Sequence, residues 1–142
     1  MNGALIAAAV LLAATVFGLV RRHRDGVLRA RRRNGSDDVA ETVGPDEMGA
    51  DLGEKATLLQ FSSAFCAPCR ATRRVLGEVT GMVDGVAHVE LDAEAHLDLV
   101  RRLNIVRTPT VLVLDGAGRV VRRATGAPRK PDVIAALGEV IP

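Results

Sequence analysis

The chain has 142 residues, 48% of them hydrophobic and 25% charged, with a formal net charge of +2. That is room for one ordinary domain plus accessories, and the balance excludes a disordered tail protein. Three Phe with no Trp or Tyr are too few rings for a stacking surface, which excludes single-stranded nucleic acid as a ligand.

Asn2 to Val20 carries no charged side chain and is rich in Ala, Leu and Val. As a helix this run spans about 28 Å, close to the hydrocarbon thickness of a bilayer. A cleaved secretory signal and a buried core helix are the competing readings. Against the first, no basic residue precedes the apolar run and no small-x-small site precedes the arginines. Against the second, the segment is apolar on every face and ends abruptly in Arg21, Arg22 and Arg24. Residues 1–20 are therefore expected to be a transmembrane anchor. Arg29, Arg31, Arg32 and Arg33 extend the basic cluster, with Asp25 the one acid among them. The positive-inside rule places such a cluster, and everything after Val20, on the cytoplasmic side. The arginines also suit anionic headgroups, and suit nucleic acid less well beside an apolar run. Asn34 to Pro45 is polar and rich in turn formers, so residues 21–45 read as a juxtamembrane segment and linker, and 46–142 as the domain.

The domain alternates. Ala56–Ser62 is a buried-strand candidate. Cys66–Met82 has Val75, Leu76, Val79 and Met82 at helical spacing. Val86–Leu91 is a second strand, and Ala95–Leu103 a second helix with Leu97, Val100 and Leu103 on its stripe. Thr110–Leu114 and Arg119–Ala124 flank an Asp-Gly turn, the latter suited to an exposed edge. Pro131 opens a last helix carrying Val133, Ile134, Leu137 and Val140. The order β-α-β-α-β-β-α predicts an α/β fold with a mixed central sheet flanked by helices. The first two crossovers imply parallel strands, and the hairpin adds an antiparallel pair.

The two cysteines sit three apart, in Cys66-Ala67-Pro68-Cys69. So short a loop barely constrains an unfolded chain, which favours reactive chemistry over stapling. The motif follows a strand and opens a helix. Free N–H groups and the positive dipole end there stabilise a thiolate, so the Cys66 thiol is expected to ionise more readily than a free one. Thiolate is the attacking species in disulfide exchange. Cys66 is then the nucleophile and Cys69, one turn on, the resolving thiol, with Pro68 restraining the first turn. Zinc needs four ligands, and His23, His88 and His96 lack ligand spacing to the pair, so no metal and no other cofactor is expected.

Across roughly residues 52–141 the sequence resembles the thioredoxin family. The likeness lies in four blocks: Leu58-Leu59-Gln60-Phe61-Ser62-Ser63-Ala64-Phe65-Cys66-Ala67-Pro68-Cys69-Arg70, Val86 to Asp92, Ile105-Val106-Arg107-Thr108-Pro109-Thr110, and Gly126-Ala127. The resemblance implies a thioredoxin-like fold. It also implies a cis-proline at Pro109 beside the cysteines, with the Thr108 backbone free to pair with a substrate strand, and a groove-lining glycine at Gly126. Phe65 stands in place of the family's Trp and keeps an apolar platform. Ala67 replaces a Gly in the dipeptide that tunes redox poise. Gln60 replaces a buried Asp that assists proton transfer, and Gln cannot act as a base. His88 replaces a lysine, and its imidazole is a candidate for the missing proton transfer; an ordinary half-buried strand histidine is the competing reading.

The function expected from these residues is thiol–disulfide exchange on protein disulfide substrates by a membrane-tethered reductase. Its electrons would come from a thioredoxin reductase or another dithiol protein. Two other readings stay open. One is an extracytoplasmic domain that exchanges disulfides or prepares apocytochrome c. The other is a non-catalytic thioredoxin-fold binding module.

Overall fold

The structure, a computed structural model, describes residues 2–30 and 41–142. Arg31, Arg32 and Arg33 of the basic cluster, and residues 34–40 of the expected linker, lie outside the described residues. The chain opens with α1 (Asn2–Arg24), whose described residues are exposed along its length. By length and composition α1 can cross a membrane, a test that a signal sequence near the N-terminus also passes. Next come β1 (Arg29–Ala30), α2 (Pro45–Met48), β2 (Ala56–Ser62), α3 (Ala67–Thr80), β3 (Val86–Asp92), α4 (Leu97–Arg102), β4 (Thr110–Asp115), β5 (Val120–Thr125) and α5 (Lys130–Val140).

Among the described residues one five-stranded sheet runs in the order β1-β5-β4-β2-β3. Side chains alternate across a strand, and the two apolar sets of β2 feed separate cores. Leu59 and Phe61 pack with Val89, Leu91, Leu99, Leu103, Leu112 and Leu114 on one face. Ala56 and Leu58 pack with Leu76 and Val79 of α3 and Val133 and Leu137 of α5 on the other. Gln60 shares the parity of Leu58, so it too points toward α3, although polar and fully buried. Burial on both faces explains why β2 lacks the apolar–polar alternation of a half-exposed strand.

Several expectations are corrected. β3 is parallel to β2, but β4 runs antiparallel to β2. The second crossover is not made: the chain passes through six-residue α4 and the loop to Pro109 and enters β4 from the end of the sheet at which β2 finishes. The buried stripe near α4 is Leu99 and Leu103, with Leu97 exposed. Met82, expected on the α3 stripe, lies past the helix end and is exposed. β5 is not a bare edge. Arg29 and Ala30 pair with Arg123 and Arg122, and the Val120 N–H donates to the Glu41 carbonyl. Val43 is wholly buried in the first core. Residues that read as juxtamembrane segment and linker thus supply an outer strand and a core side chain.

Candidate functional site

The site forms at the end of the sheet where β2 gives way to α3. The chain leaves β2 at Ser62, turns through Ser63-Ala64-Phe65, and enters α3 with Cys66 as its N-cap. Phe65 takes φ 59°, a left-handed conformation uncommon for a bulky residue. Its ring packs on nothing, since the residue is fully exposed. The Cys69 N–H donates to Cys66 Sγ at 3.2 Å, so the N-cap position supplies one of the orphan donors of the first turn to sulfur. Cys66 and Cys69 are joined as a disulfide, with Cα atoms 5.2 Å apart. The two sulfur residues differ in access: Cys66 is partly exposed, Cys69 is buried. Among the described residues no group of His, Cys, Asp and Glu side chains could hold a metal.

Two further loops complete the rim. The Thr108–Pro109 peptide is cis. Thr108 Oγ1 shares a 2.8 Å hydrogen bond with Ser63 Oγ, which ties this loop to the one bearing the cysteines. The Gly126 N–H donates to the Pro109 carbonyl at 2.8 Å, tying in the third loop. Pro68, Thr108, Pro109 and Gly126 line one groove of about 860 Å³. Gly126 has φ 98°, and a Cβ on it would stand 3.1 Å from both Arg107 Nη2 and the Gly26 nitrogen. Gly126 thus lines the groove as expected, but the chain's own N-terminal segment fills the space on that side of it. Phe65 and Ala67 are exposed beside the cysteines without lining this groove.

Beneath Cys69 lies a directed polar network. Gln60 Nε2 lies 2.9 Å from the Cys69 carbonyl and 3.0 Å from Ser62 Oγ. A carbonyl only accepts, so the amide nitrogen must face it and Gln60 Oε1 must face the other way. Oε1 meets His88 Nε2 at 3.0 Å, and an amide oxygen also only accepts, so His88 Nε2 is the donor. Burial holds the His88 imidazole below the usual histidine value, against the opposing pull of the Glu90 carboxylate; Arg73 adds to the lowering. The Arg73 guanidinium bonds both Glu90 oxygens and, as the leading cause, keeps that carboxyl below the usual range. The structure places Gln60 and His88 in contact under Cys69. Gln60 stands between the imidazole and the cysteine, and the nitrogen that faces it already carries a proton.

Sequence reasoning missed the Ser63–Thr108 bridge, since two short polar side chains 45 positions apart leave no local signal. It also missed Asp25 and Gly26 as neighbours of the groove.

The thioredoxin family model matches residues 43–139. The thioredoxin of Mycobacterium tuberculosis is 30% identical over 89 residues, covering 62% of this chain and 76% of that one. The bifunctional thioredoxin reductase/thioredoxin of Mycobacterium leprae is 28% identical over 89 residues, and this chain spans only 19% of its length. Among solved structures, thioredoxin f from spinach chloroplast superposes with a TM-score of 0.55 at 25% identity, covering 62% of this chain and 78% of that one. The thioredoxin pre-protein of Schistosoma mansoni superposes with the same TM-score at 21% identity, covering 63% and 82%; at that identity it speaks for the fold alone. With the matched residues spanning both cysteines, the cis-proline and the glycine of the third loop, this chain belongs to the thioredoxin family of thiol–disulfide oxidoreductases.

Proposed function

We propose that this chain is a membrane-tethered reductase of protein disulfides, with Cys66 as nucleophile and Cys69 as resolving thiol. The observation that carries it is the asymmetry of the pair: both sulfurs share the first turn of α3, yet only Cys66 is open to solvent. In the reduced protein the Cys66 thiolate attacks one sulfur of a substrate disulfide. The substrate bond breaks, a mixed disulfide forms, and the first substrate thiolate leaves and takes a proton. The Cys69 thiolate then attacks Cys66 Sγ and expels the second substrate thiolate. Two electrons have passed to the substrate, and the Cys66–Cys69 bridge has closed. An external dithiol, supplied by a thioredoxin reductase or another dithiol protein, reopens it. A relative whose name joins a thioredoxin reductase to a thioredoxin supports that choice of donor. The cis-Pro109 loop beside the cysteines supports a role for the Thr108 backbone in pairing with an extended substrate segment.

Residues 2–20 are the proposed anchor, and the arginines after Val20 support a cytoplasmic domain. A reducing compartment keeps such a pair as the dithiol and sets the direction of electron flow. The test is insulin reduction by the full chain with a dithiol supply. The expected result is turnover that Cys66→Ser abolishes; turnover indifferent to that change favours a binding module with unused thiols. A reporter fused after Pro142 reads the side of the membrane, and the reduction potential of the pair separates reductant from oxidant.

A further inference from the structure

The segment that joins α1 to the sheet is built into the domain. α1 ends at Arg24. Asp25 pairs with Arg107 at 3.2 Å, and the Gly26 N–H donates to the Thr125 carbonyl at 2.9 Å. Gly26 has φ 77°, and a Cβ there would stand 2.0 Å from the Ala127 carbonyl oxygen, so two backbones meet with no room for a side chain. Arg29 and Ala30 then take their places against β5. No free tether separates the helix from the sheet.

This junction decides where the groove opens. One wall is Leu19, Arg22 and His23 of α1, and another is Pro68, Thr108 and Pro109. Leu19 belongs to the apolar run, and the first charged residue follows two positions later at Arg21. In a bilayer that wall lies at the level where arginines meet headgroups.

We infer that the groove beside the cysteines is held at the membrane surface and takes disulfides at headgroup depth, in segments that flank a membrane span of another protein. This rests on the redox and anchor readings above. The exchange is the one already described: the substrate disulfide becomes two thiols as the Cys66–Cys69 dithiol closes, and an external dithiol recharges the pair. A disulfide held far above the bilayer is disfavoured because the domain has no slack with which to rise to it.

The test uses the full chain in phosphatidylcholine–phosphatidylglycerol vesicles with a dithiol supply. Two synthetic single-span peptides carry the same disulfide, one within a turn of the membrane end and one beyond a long flexible spacer. The expected result is reduction of the near disulfide at least about tenfold faster, an effect of local concentration that geometry grants or withholds. Inserting about ten Gly/Ser residues between Arg24 and Asp25 should bring the two rates together, each compared with the same variant's own rate on insulin. Equal rates in the unmodified chain, with insulin reduced normally, overturn the inference. Insulin left intact overturns it through the redox reading, and release of the chain by alkaline carbonate through the anchor reading. A readout free of redox chemistry uses Val106→Trp, an exposed position beside Arg107 in a chain without other Trp. Headgroup-labelled lipid should quench it, with quenching lost on lengthening the junction; the same quenching in both overturns the inference.

Discussion

Cys66 and Cys69 lie three residues apart and occupy opposite environments. Around Cys66 the surface is open: Phe65 is fully exposed, Ala67 and Pro68 are exposed, and the sulfur takes its hydrogen bond from the Cys69 backbone. Cys69 by contrast is buried, and the Gln60 amide donates to its carbonyl from beneath. The contrast shows how one turn of helix divides labour. On the proposed mechanism the exposed residue is the one that meets the substrate, and the buried one is held where it can meet only its neighbour. α3 enforces this because Cys69 shares the buried stripe with Thr72, Leu76 and Val79, whereas Cys66 caps the helix from outside.

The largest effect that can break this comparison is trapping. Cys69→Ser should leave Cys66 able to attack but unable to be released, so a mixed disulfide accumulates and turnover stops; non-reducing electrophoresis reads it. Accumulation in Cys66→Ser instead would reverse the two roles. Next comes Gln60→Leu, which keeps the volume but strips the Cys69 carbonyl, Ser62 Oγ and His88 of a shared partner. Buried groups left unpaired cost about 1–3 kcal/mol, read as a lower urea midpoint at constant m. Phe65→Asn works on the open side. The ring packs on nothing, and Asn tolerates the left-handed backbone, so stability should rise by up to about 1 kcal/mol.

The smallest expected effect is in pH dependence. The folded His88 value lies below the unfolded one near 6.5, so below that pH the unfolded chain binds the extra proton. Stability from this group is full above about 6.5 and falls as pH drops toward the folded value. His88→Asn should flatten thermal stability across that window. The geometry also sets an expectation for the proposed proton relay: with Nε2 already a donor to Gln60, His88→Ala should leave the pH–rate profile in place. A shifted profile would restore the relay.

Four of the five strands and the Cys-Ala-Pro-Cys junction were legible in the sequence. The apolar run of β2, the spacing of Leu76 and Val79, and Cys-Ala-Pro-Cys at a strand-to-helix junction are all local signals. What stayed hidden depends on partners far along the chain. Arg29-Ala30 is too short and too charged to read as a strand, and pairs only because β5 offers an open edge. Val43 carries no pattern of its own within a polar stretch. The direction of β4 shows only in its pairing with β2, and the burial of Leu99 over Leu97 only in how the short helix packs against the first core. Gln60 reads as a loss of a base, and only the register that faces it toward α3 reveals what it does instead.

The covering of β5 by Gly26, Arg29-Ala30 and Glu41 bears on any attempt to produce a soluble fragment. Cutting the chain at residue 46 would strip hydrogen-bond partners from a strand and remove Val43 from the first core. The naked strand would then be free to zip onto its counterpart in a neighbouring molecule, so such a fragment is expected to self-associate. A cut just before Asp25 removes the greasy helix and keeps the seam shut.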